Sequence, residues 1–147
     1  IGSGPTSFLY RRLVLERHVA VNAGAWYMTS AMDDTRFSVY AVPAQGVSLE
    51  QLEEEVDEAL ASLPGNALDA AAIERAKTRL LAETVYQTDS QSSLARIYGS
   101  ALAIGETIEQ VQRWPEEVEA VTREQLATVA ERYLVLRRSV TGYLEKA

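Results

Sequence analysis

The chain carries few of the side chains that hydrolytic or metal-dependent chemistry requires. Its 147 residues contain a single histidine, His18, and no cysteine. A zinc peptidase needs several imidazole ligands, usually two on one helical face with a catalytic glutamate between them. Without cysteine, the remaining ligands would all be carboxylates, which suit Mg²⁺ or Ca²⁺ better than Zn²⁺. The sequence therefore predicts no catalytic residue and no metal ligand here, and it predicts that His18 is a partly exposed histidine at a helix end.

The densest group of carboxylates comprises Glu53, Glu54, Glu55, Asp57 and Glu58. Paired carboxylates can support acid–base catalysis or bind calcium, but a calcium loop alternates its ligands and carries a glycine at its turn. This acidic run instead lies inside an amphipathic helix that begins at a Ser48–Gln51 capping box. The sequence therefore predicts a solvated helix face.

The sequence contains neither a complete serine-nucleophile motif nor a complete phosphate-binding loop. Ser92-Ser93 has no nucleophile-elbow motif around it. Gly2-Ser3-Gly4 precedes a helix but lacks the Gly-Lys-Ser/Thr ending of a phosphate loop. Aromatic side chains on a predicted hairpin could line a small-molecule site, although paired strands favour their cross-strand packing. These side chains are Trp26, Tyr27, Phe37 and Tyr40.

Composition excludes several classes of partner. The formal net charge is −7, with a pI of about 4.8, and an acidic surface repels phosphate backbones, so we expect no nucleic-acid partner. No apolar run approaches the roughly 20 residues that span a bilayer, so we expect a soluble chain with no membrane span. The first residues, 1–5, have no signal-peptide features and are typical of the middle of a longer protein. The absence of cysteine does not indicate the cellular compartment.

Hydrophobic periodicity predicts the elements that position these residues. Ser7 is a plausible N-cap for a helix over 7–17, whose apolar face includes Leu9 and Leu13. A two-residue period then predicts strands over 19–28 and 36–42, joined by a turn at Asp33-Asp34. Residues 139–144 alternate again and predict a final strand.

Helices fill the chain between these strands. The Ser48–Gln51 capping box predicts a helix over 48–63. Apolar spacing predicts a longer helix from about 69 to 87, with Ile73, Ala76, Leu80 and Val85 facing inward. A third follows a cap at Asp89 or Ser90 and ends before Gly105. Thr107–Gln110 and Thr122–Gln125 open two more, the first of them interrupted at Trp114-Pro115.

The resulting pattern predicts an α+β fold. We expect helices packed on one face of a small, mostly antiparallel sheet. Three strands make a thin sheet, and the chain opens on a helix with no strand before it. We therefore expect one or more strands of this sheet to lie upstream of residue 1.

Three stretches carry a resemblance to a known family. The first is the turn and helix over 4–13, with Ser7-Phe8-Leu9-Tyr10. The second is 70–81, with Ile73-Glu74-Arg75-Ala76-Lys77. The third runs from Ser100 through Trp114-Pro115 to Val140-Thr141-Gly142-Tyr143-Leu144. Their order and spacing, over nearly the whole chain, resemble the pitrilysin/insulinase family of zinc metallopeptidases. Each motif is weak alone, and the ordered set is fairly specific.

The resemblance implies paired homologous domains, four of which enclose a chamber for an unfolded peptide. The family's zinc motif, His-x-x-Glu-His, sits in an N-terminal domain and is absent here. The resemblance therefore implies that 1–147 is a single non-catalytic C-terminal domain of a bacterial-type member, lacking its first strand and helix. It implies no cofactor in this chain and zinc in the missing N-terminal domain. Its expected partners are that catalytic domain, a homologous subunit and a peptide substrate, in either periplasm or cytoplasm.

A finer implication concerns two valines. Many members carry an arginine and, seven residues later, a tyrosine, in the half without zinc, where they contact the substrate. An ungapped placement of that pattern puts Val14 and Val21 at these positions. A valine can neither orient a peptide carbonyl nor stabilise an oxyanion. The resemblance thus implies that the chain derives from the zinc-bearing subunit. A scaffold or partner subunit of the same fold, with no peptidase role, and a small-molecule enzyme using the hairpin aromatics stay open as alternatives.

Overall fold

The computed structural model describes residues 1–65 and 69–145, and the backbone forms two compact units. The first contains the described residues of 1–27, 37–68 and 124–147. The second contains 28–36 and 69–123.

The first unit opens with the predicted helix. Its N-terminal turn, α1 (Phe8–Tyr10), is capped by Ser7 Oγ, which accepts from the Tyr10 amide at 3.4 Å. The chain continues as a π-helical segment, Arg11–Glu16. Leu9 and Leu13 are fully buried. The helix is confirmed, but the wider π winding has no signature in the apolar spacing.

An antiparallel hairpin follows and confirms both predicted strands. Strand β1 (Ala20–Tyr27) pairs with β2 (Phe37–Pro43) from Tyr27↔Phe37 to Asn22↔Val42. The register shifts between Ala20 and Asn22, which leaves Val21 as an extra residue of the type found at a β-bulge.

One helix completes the described core of this unit. Helix α2 (Leu49–Ala61) begins at Ser48, whose hydroxyl accepts from the Gln51 amide at 3.2 Å, as the capping signal predicts. The core cluster joins the first helix, β1 and α2, and half-buried β2 residues pack against it. Its buried members are Leu9, Leu13, Val19, Ala20, Ala23, Leu52 and Ala59. Helices therefore pack on the inner face of the hairpin, which confirms the α+β class.

The second unit contains three mutually packed helices, α3 (Ala70–Thr88), α4 (Gln91–Ala103) and α5 (Ile108–Ala120). Asp69, Ser90 and the Thr107–Gln110 capping box provide their N-caps. Gly105 takes a φ of +88°, as predicted for the residue after a helix end.

Two predictions within these helices are wrong. Helix α5 continues through Pro115 without interruption, although this proline lacks an amide hydrogen bond and its ring crowds the carbonyl of residue 111; the Thr107–Gln110 capping box stabilises the start of the helix. On α3, Ile73 is buried but Leu80 and Val85 are exposed. The spacing of apolar residues identifies a helical face, but it does not say how far neighbouring helices cover it.

The predicted final strand is also wrong. Helix α6 (Arg123–Tyr133) leads into a 3₁₀ turn, Leu136–Arg138, and residues 139–145 then have no regular structure. Within the described residues the sheet has two strands. A strand needs a neighbour for its backbone groups, and the alternating pattern alone does not supply one.

Among the helices in the described ranges, none is both long enough and apolar enough to cross a membrane.

Candidate functional site

The outer face of the hairpin is the candidate site. Because side chains alternate along a strand and Ala23, Ala25, Val39 and Ala41 turn toward the core, the intervening residues point outward. We call this surface the outer hairpin face. It consists of Asn22, Gly24 and Trp26 on β1 and Ser38, Tyr40 and Val42 on β2.

Large apolar groups dominate this surface. Tyr40 is 49% exposed, and Trp26 and Val42 are each 45% exposed. Asn22 lies opposite Val42, and Trp26 lies opposite Ser38. An exposed strand face with aromatic side chains and few polar groups can contact peptide side chains without sequence selectivity.

Gly24 and Tyr40 form the centre of the face. They are cross-strand partners, and a Cβ added to Gly24 would lie 2.7 Å from the Tyr40 hydroxyl oxygen. The absence of a side chain at Gly24 therefore lets the Tyr40 ring lie across β1. Tyr40 thus makes the cross-strand contact that paired strands favour, and its other face is exposed.

Val14 and Val21 occupy different environments. Val14, in the π-helical segment, is half-buried and packs against the core cluster. Val21, at the register shift of β1, is 59% exposed. Neither side chain carries a polar group, and their equivalence to the family's arginine and tyrosine stays a prediction.

His18 marks the end of the first helix. Its φ is +55°, and its Nδ1 lies 3.1 Å from the Val14 carbonyl oxygen. The side chain is exposed, as predicted for a histidine at a helix end. The imidazole therefore helps to cap the helix, because its ring nitrogen hydrogen-bonds a backbone carbonyl of the last helical turn.

The acidic run is only partly a solvated face. Arg17 donates two hydrogen bonds to the Glu55 carboxylate. One runs from Nε to Oε2 at 2.8 Å, and the other runs from Nη2 to Oε1. Arg12 reaches Glu58 at 3.3 Å. These pairs join the first helix to α2. The hydrogen bond from Arg17 lowers the pKa of Glu55, while burial raises the pKa of Asp57.

A second contact ties the end of the chain to α2. The Tyr143 hydroxyl donates to Glu53 Oε2 at 2.5 Å. Hydrogen bonds from Thr141 and Tyr143 lower the pKa of Glu53. The same carboxylate raises the pKa of Tyr143 to about 12, because the neutral hydroxyl is the donor and an ionised one would be repelled. Sequence reasoning missed these contacts, since their partners lie 38 to 90 residues apart.

The described residues do not fit a catalytic zinc. They include no group of three or more His, Cys, Asp or Glu side chains that could hold a metal ion. Ser92 and Ser93 lie in the first turn of α4, where the Ser93 amide donates to the Ser90 cap. The Gly2 carbonyl accepts from the Ala25 amide at 3.1 Å, so the glycine turn runs along β1. What the described ranges do present is the exposed, partly aromatic outer hairpin face.

Solved protease structures share this fold. A predicted zinc protease from Bordetella pertussis Tohama I matches with a TM-score of 0.84 and 18% identity, over 99% of this chain and 80% of that one. The inactive peptidase domain of a predicted zinc protease from Bordetella parapertussis matches with a TM-score of 0.84 and 17% identity, over 98% of this chain and 78% of that one.

A protease from Helicobacter pylori matches with a TM-score of 0.81 and 20% identity, over 92% of this chain. The chain spans about a third of that protein, at 32% of its length. The sequence matches no protein-family model and no curated protein. At these identities the likeness concerns the fold, and the chain has a zinc-protease-like fold.

Proposed function

We propose that the chain is a non-catalytic domain of a zinc-dependent metallopeptidase, that it helps to enclose an unfolded peptide substrate, and that it positions a zinc-bearing domain. The observation that carries the proposal is the outer hairpin face, which is largely exposed and presents the aromatic side chains of Trp26 and Tyr40. The protease folds of the similar structures, one of them an inactive peptidase domain, support the same assignment.

The outer hairpin face suits an unfolded peptide better than a folded ligand. Trp26 and Tyr40 offer flat apolar surfaces that tolerate many side chains, and Asn22 and Ser38 offer polar groups beside them. In this role the domain binds and orients a substrate, while another domain supplies zinc and the attacking water. The valines at positions 14 and 21, where the resemblance leads one to expect an arginine and a tyrosine in the half without zinc, support a parent of the zinc-bearing class.

A scaffold subunit of the same fold remains the second candidate, because a scaffold and a non-catalytic peptidase domain would both lack a metal-binding group in the described residues. The two functions predict different behaviour of the outer hairpin face. A peptide-binding domain needs that face free for a mobile ligand, whereas a scaffold uses its surfaces for fixed partners.

Binding of a labelled unfolded polypeptide tests the proposal. Fluorescence anisotropy with a reduced, alkylated polypeptide should show saturable binding to the wild-type chain. Trp26→Ser and Val42→Ser should each weaken binding about tenfold, consistent with the loss of roughly 1.4 kcal/mol of apolar contact. Val129→Ser, which removes an exposed valine of α6, is the matched control.

The same samples distinguish the alternatives. The chain should take up no stoichiometric zinc and should leave the polypeptide uncut after prolonged incubation. Absence of binding would favour the scaffold role, and chelator-sensitive cleavage by the purified chain would overturn the non-catalytic assignment.

A further inference from the structure

Gly24 lies inside β1, at a position where the space around it, and not its backbone, requires a glycine. Glycine is usually unfavourable within a strand, because it has no side chain to pack and loses much conformational entropy on folding. The φ of Gly24 is outside the left-handed region, so its backbone suits other residues. A Cβ at this position, however, would lie 2.7 Å from Tyr40 Oη and 2.8 Å from both Cε1 and Cζ. An alanine here would therefore displace the Tyr40 ring.

These three distances also give the orientation of the Tyr40 ring. If only the hydroxyl group pointed at Gly24, Cζ and Cε1 would lie clearly farther away than Oη. Because the three distances are nearly equal, the ring leans over Gly24 with one face toward the backbone. Gly24 is accordingly buried although it is on the outer side of the hairpin, while Tyr40 is 49% exposed. The contact fixes one face of the ring and leaves the other toward solvent.

The surroundings of the exposed ring face suit a planar, uncharged group. Trp26 lies opposite Ser38, so it is the diagonal cross-strand neighbour of Tyr40, at a separation of about 7–8 Å. A planar group stacked on Tyr40 is therefore within reach of the indole, and aromatic rings favour such offset or edge contacts. None of the six residues of the outer hairpin face is of a charged type. A charged group of a ligand would lose hydration there without meeting an opposite charge.

We propose that Gly24 is a specificity-determining residue of the outer hairpin face. By leaving room for the Tyr40 ring against β1, it creates a stacking site for one planar aromatic side chain of an extended peptide. The rest of the face tolerates many side chains, so the preference applies to a single position of the peptide. This preference rests on the proposed function, since it names the substrate feature that the same face selects.

A purely structural role of the Gly24–Tyr40 contact makes a different prediction. An aromatic ring over a strand glycine also stabilises a sheet that binds nothing. Such a contact would affect the stability of the fold and leave the relative affinities for different peptides unchanged. The distinguishing measurement is therefore a ratio of affinities. A loss of folded protein weakens the apparent binding of every peptide alike and leaves that ratio as it was.

Three labelled peptides measure the ratio. They share one unstructured, uncharged sequence and differ at a single central residue, which is phenylalanine, cyclohexylalanine or lysine. Cyclohexylalanine resembles phenylalanine in apolar bulk but lacks a planar ring, and lysine tests whether the rings instead select a cation. In fluorescence anisotropy with the full wild-type chain, we expect the phenylalanine peptide to bind more tightly than either of the others by about fivefold or more.

Variants of the chain locate the preference. Gly24→Ala should reduce it to less than about twofold, because the added methyl group pushes the Tyr40 ring away from β1. Tyr40→Leu should do the same, and adding Gly24→Ala to Tyr40→Leu should cause no further change, since Gly24 acts through the ring. Gly99→Ala is the matched control: it adds the same methyl group to a glycine of α4, where nothing lies within 4 Å, and should keep the wild-type ratio.

The possible outcomes separate the preference from the proposed function. Equal affinities of the wild-type chain for the three peptides would overturn the preference and leave the proposed function intact. A phenylalanine preference that survives Gly24→Ala, or tighter binding of the lysine peptide, would overturn it as well. Absence of binding for all three peptides would instead contradict the proposed function, and the preference at Gly24 with it.

Discussion

At the scale of single residues, several side chains that first suggest chemistry or binding have structural roles instead. His18 ends a helix, Arg17 binds Glu55, and Gly24 makes room for Tyr40. The sequence predicted the exposed helix-end histidine from its position. It did not predict the ion pair, because nothing local to Arg17 indicates which carboxylate 38 residues away it will meet.

The positive φ of His18 leads to the first prediction. A left-handed backbone is unstrained in glycine but costs a β-branched residue about 1–3 kcal/mol. We therefore expect His18→Val to destabilise the chain by about 1–2 kcal/mol, measured by urea unfolding, because valine adds β-branched strain and removes the Nδ1 contact. His18→Gly should change the free energy of unfolding by less than about 1 kcal/mol, because relief of strain offsets the lost Nδ1 contact. Equal destabilisation by both variants would show that the backbone conformation is not the cause.

The Tyr143 hydroxyl leads to the second prediction. Because its pKa is raised to about 12, one of the seven tyrosines should ionise late when absorbance at 295 nm is followed with pH. Glu53→Gln removes the acceptor charge and should bring that tyrosine back toward the ordinary pKa of 10. Tyr86→Phe, at an exposed tyrosine of α3, should leave the late titration in place. A wild-type curve without a late component would contradict the Tyr143–Glu53 contact.

At the scale of elements, local chemistry predicted more than long-range pairing did. Caps at Ser48, Ser90 and Thr107, the start of a helix near Asp69 and the two-residue period of the hairpin were predicted from neighbouring residues, and the structure confirms them. The last strand failed because a strand depends on a partner that its own sequence does not specify. The exposure of Leu80 and Val85 was missed for the same reason, since coverage belongs to the neighbouring helices.

The contact between the first helix and α2 leads to the third prediction. Hydrogen bonding by Arg17 lowers the pKa of Glu55 in the folded chain, so the ionised carboxylate stabilises the fold above its unfolded pKa. This contribution is lost as pH falls through the folded pKa. The stability difference between wild type and Glu55→Gln should therefore shrink as pH drops from neutral to below 4. The effect should be small and weaker in high salt, since the pair is near the surface.

A matched variant controls for net charge. Glu54→Gln changes the same charge on the same helix, at an exposed position. Its stability difference from wild type should vary less with pH in urea unfolding curves. The same pH profile for both variants would show that overall charge, and not the Arg17–Glu55 pair, controls the acid sensitivity.

At the scale of the whole molecule, the sequence predicted the fold class better than it predicted the candidate site. The α+β class was predictable from alternating and helical periods, and the structure confirms it together with a zinc-protease-like fold. The outer hairpin face could be predicted only as a set of aromatics on paired strands. Its exposure depends on which other elements pack against the sheet, and the residues that decide this are distributed along the whole chain.

The central claim is that a domain without its own chemistry contacts an unfolded peptide through the outer hairpin face. The chain has two tryptophans, Trp26 and Trp114, so Trp114→Phe leaves Trp26 as the single tryptophan reporter on that face. Titration of this variant with a tryptophan-free unfolded polypeptide is the most direct measurement. We expect a saturable blue shift of Trp26 emission with no cleavage of the polypeptide. An emission spectrum that stays unchanged while the polypeptide binds elsewhere, or is cut, would contradict it.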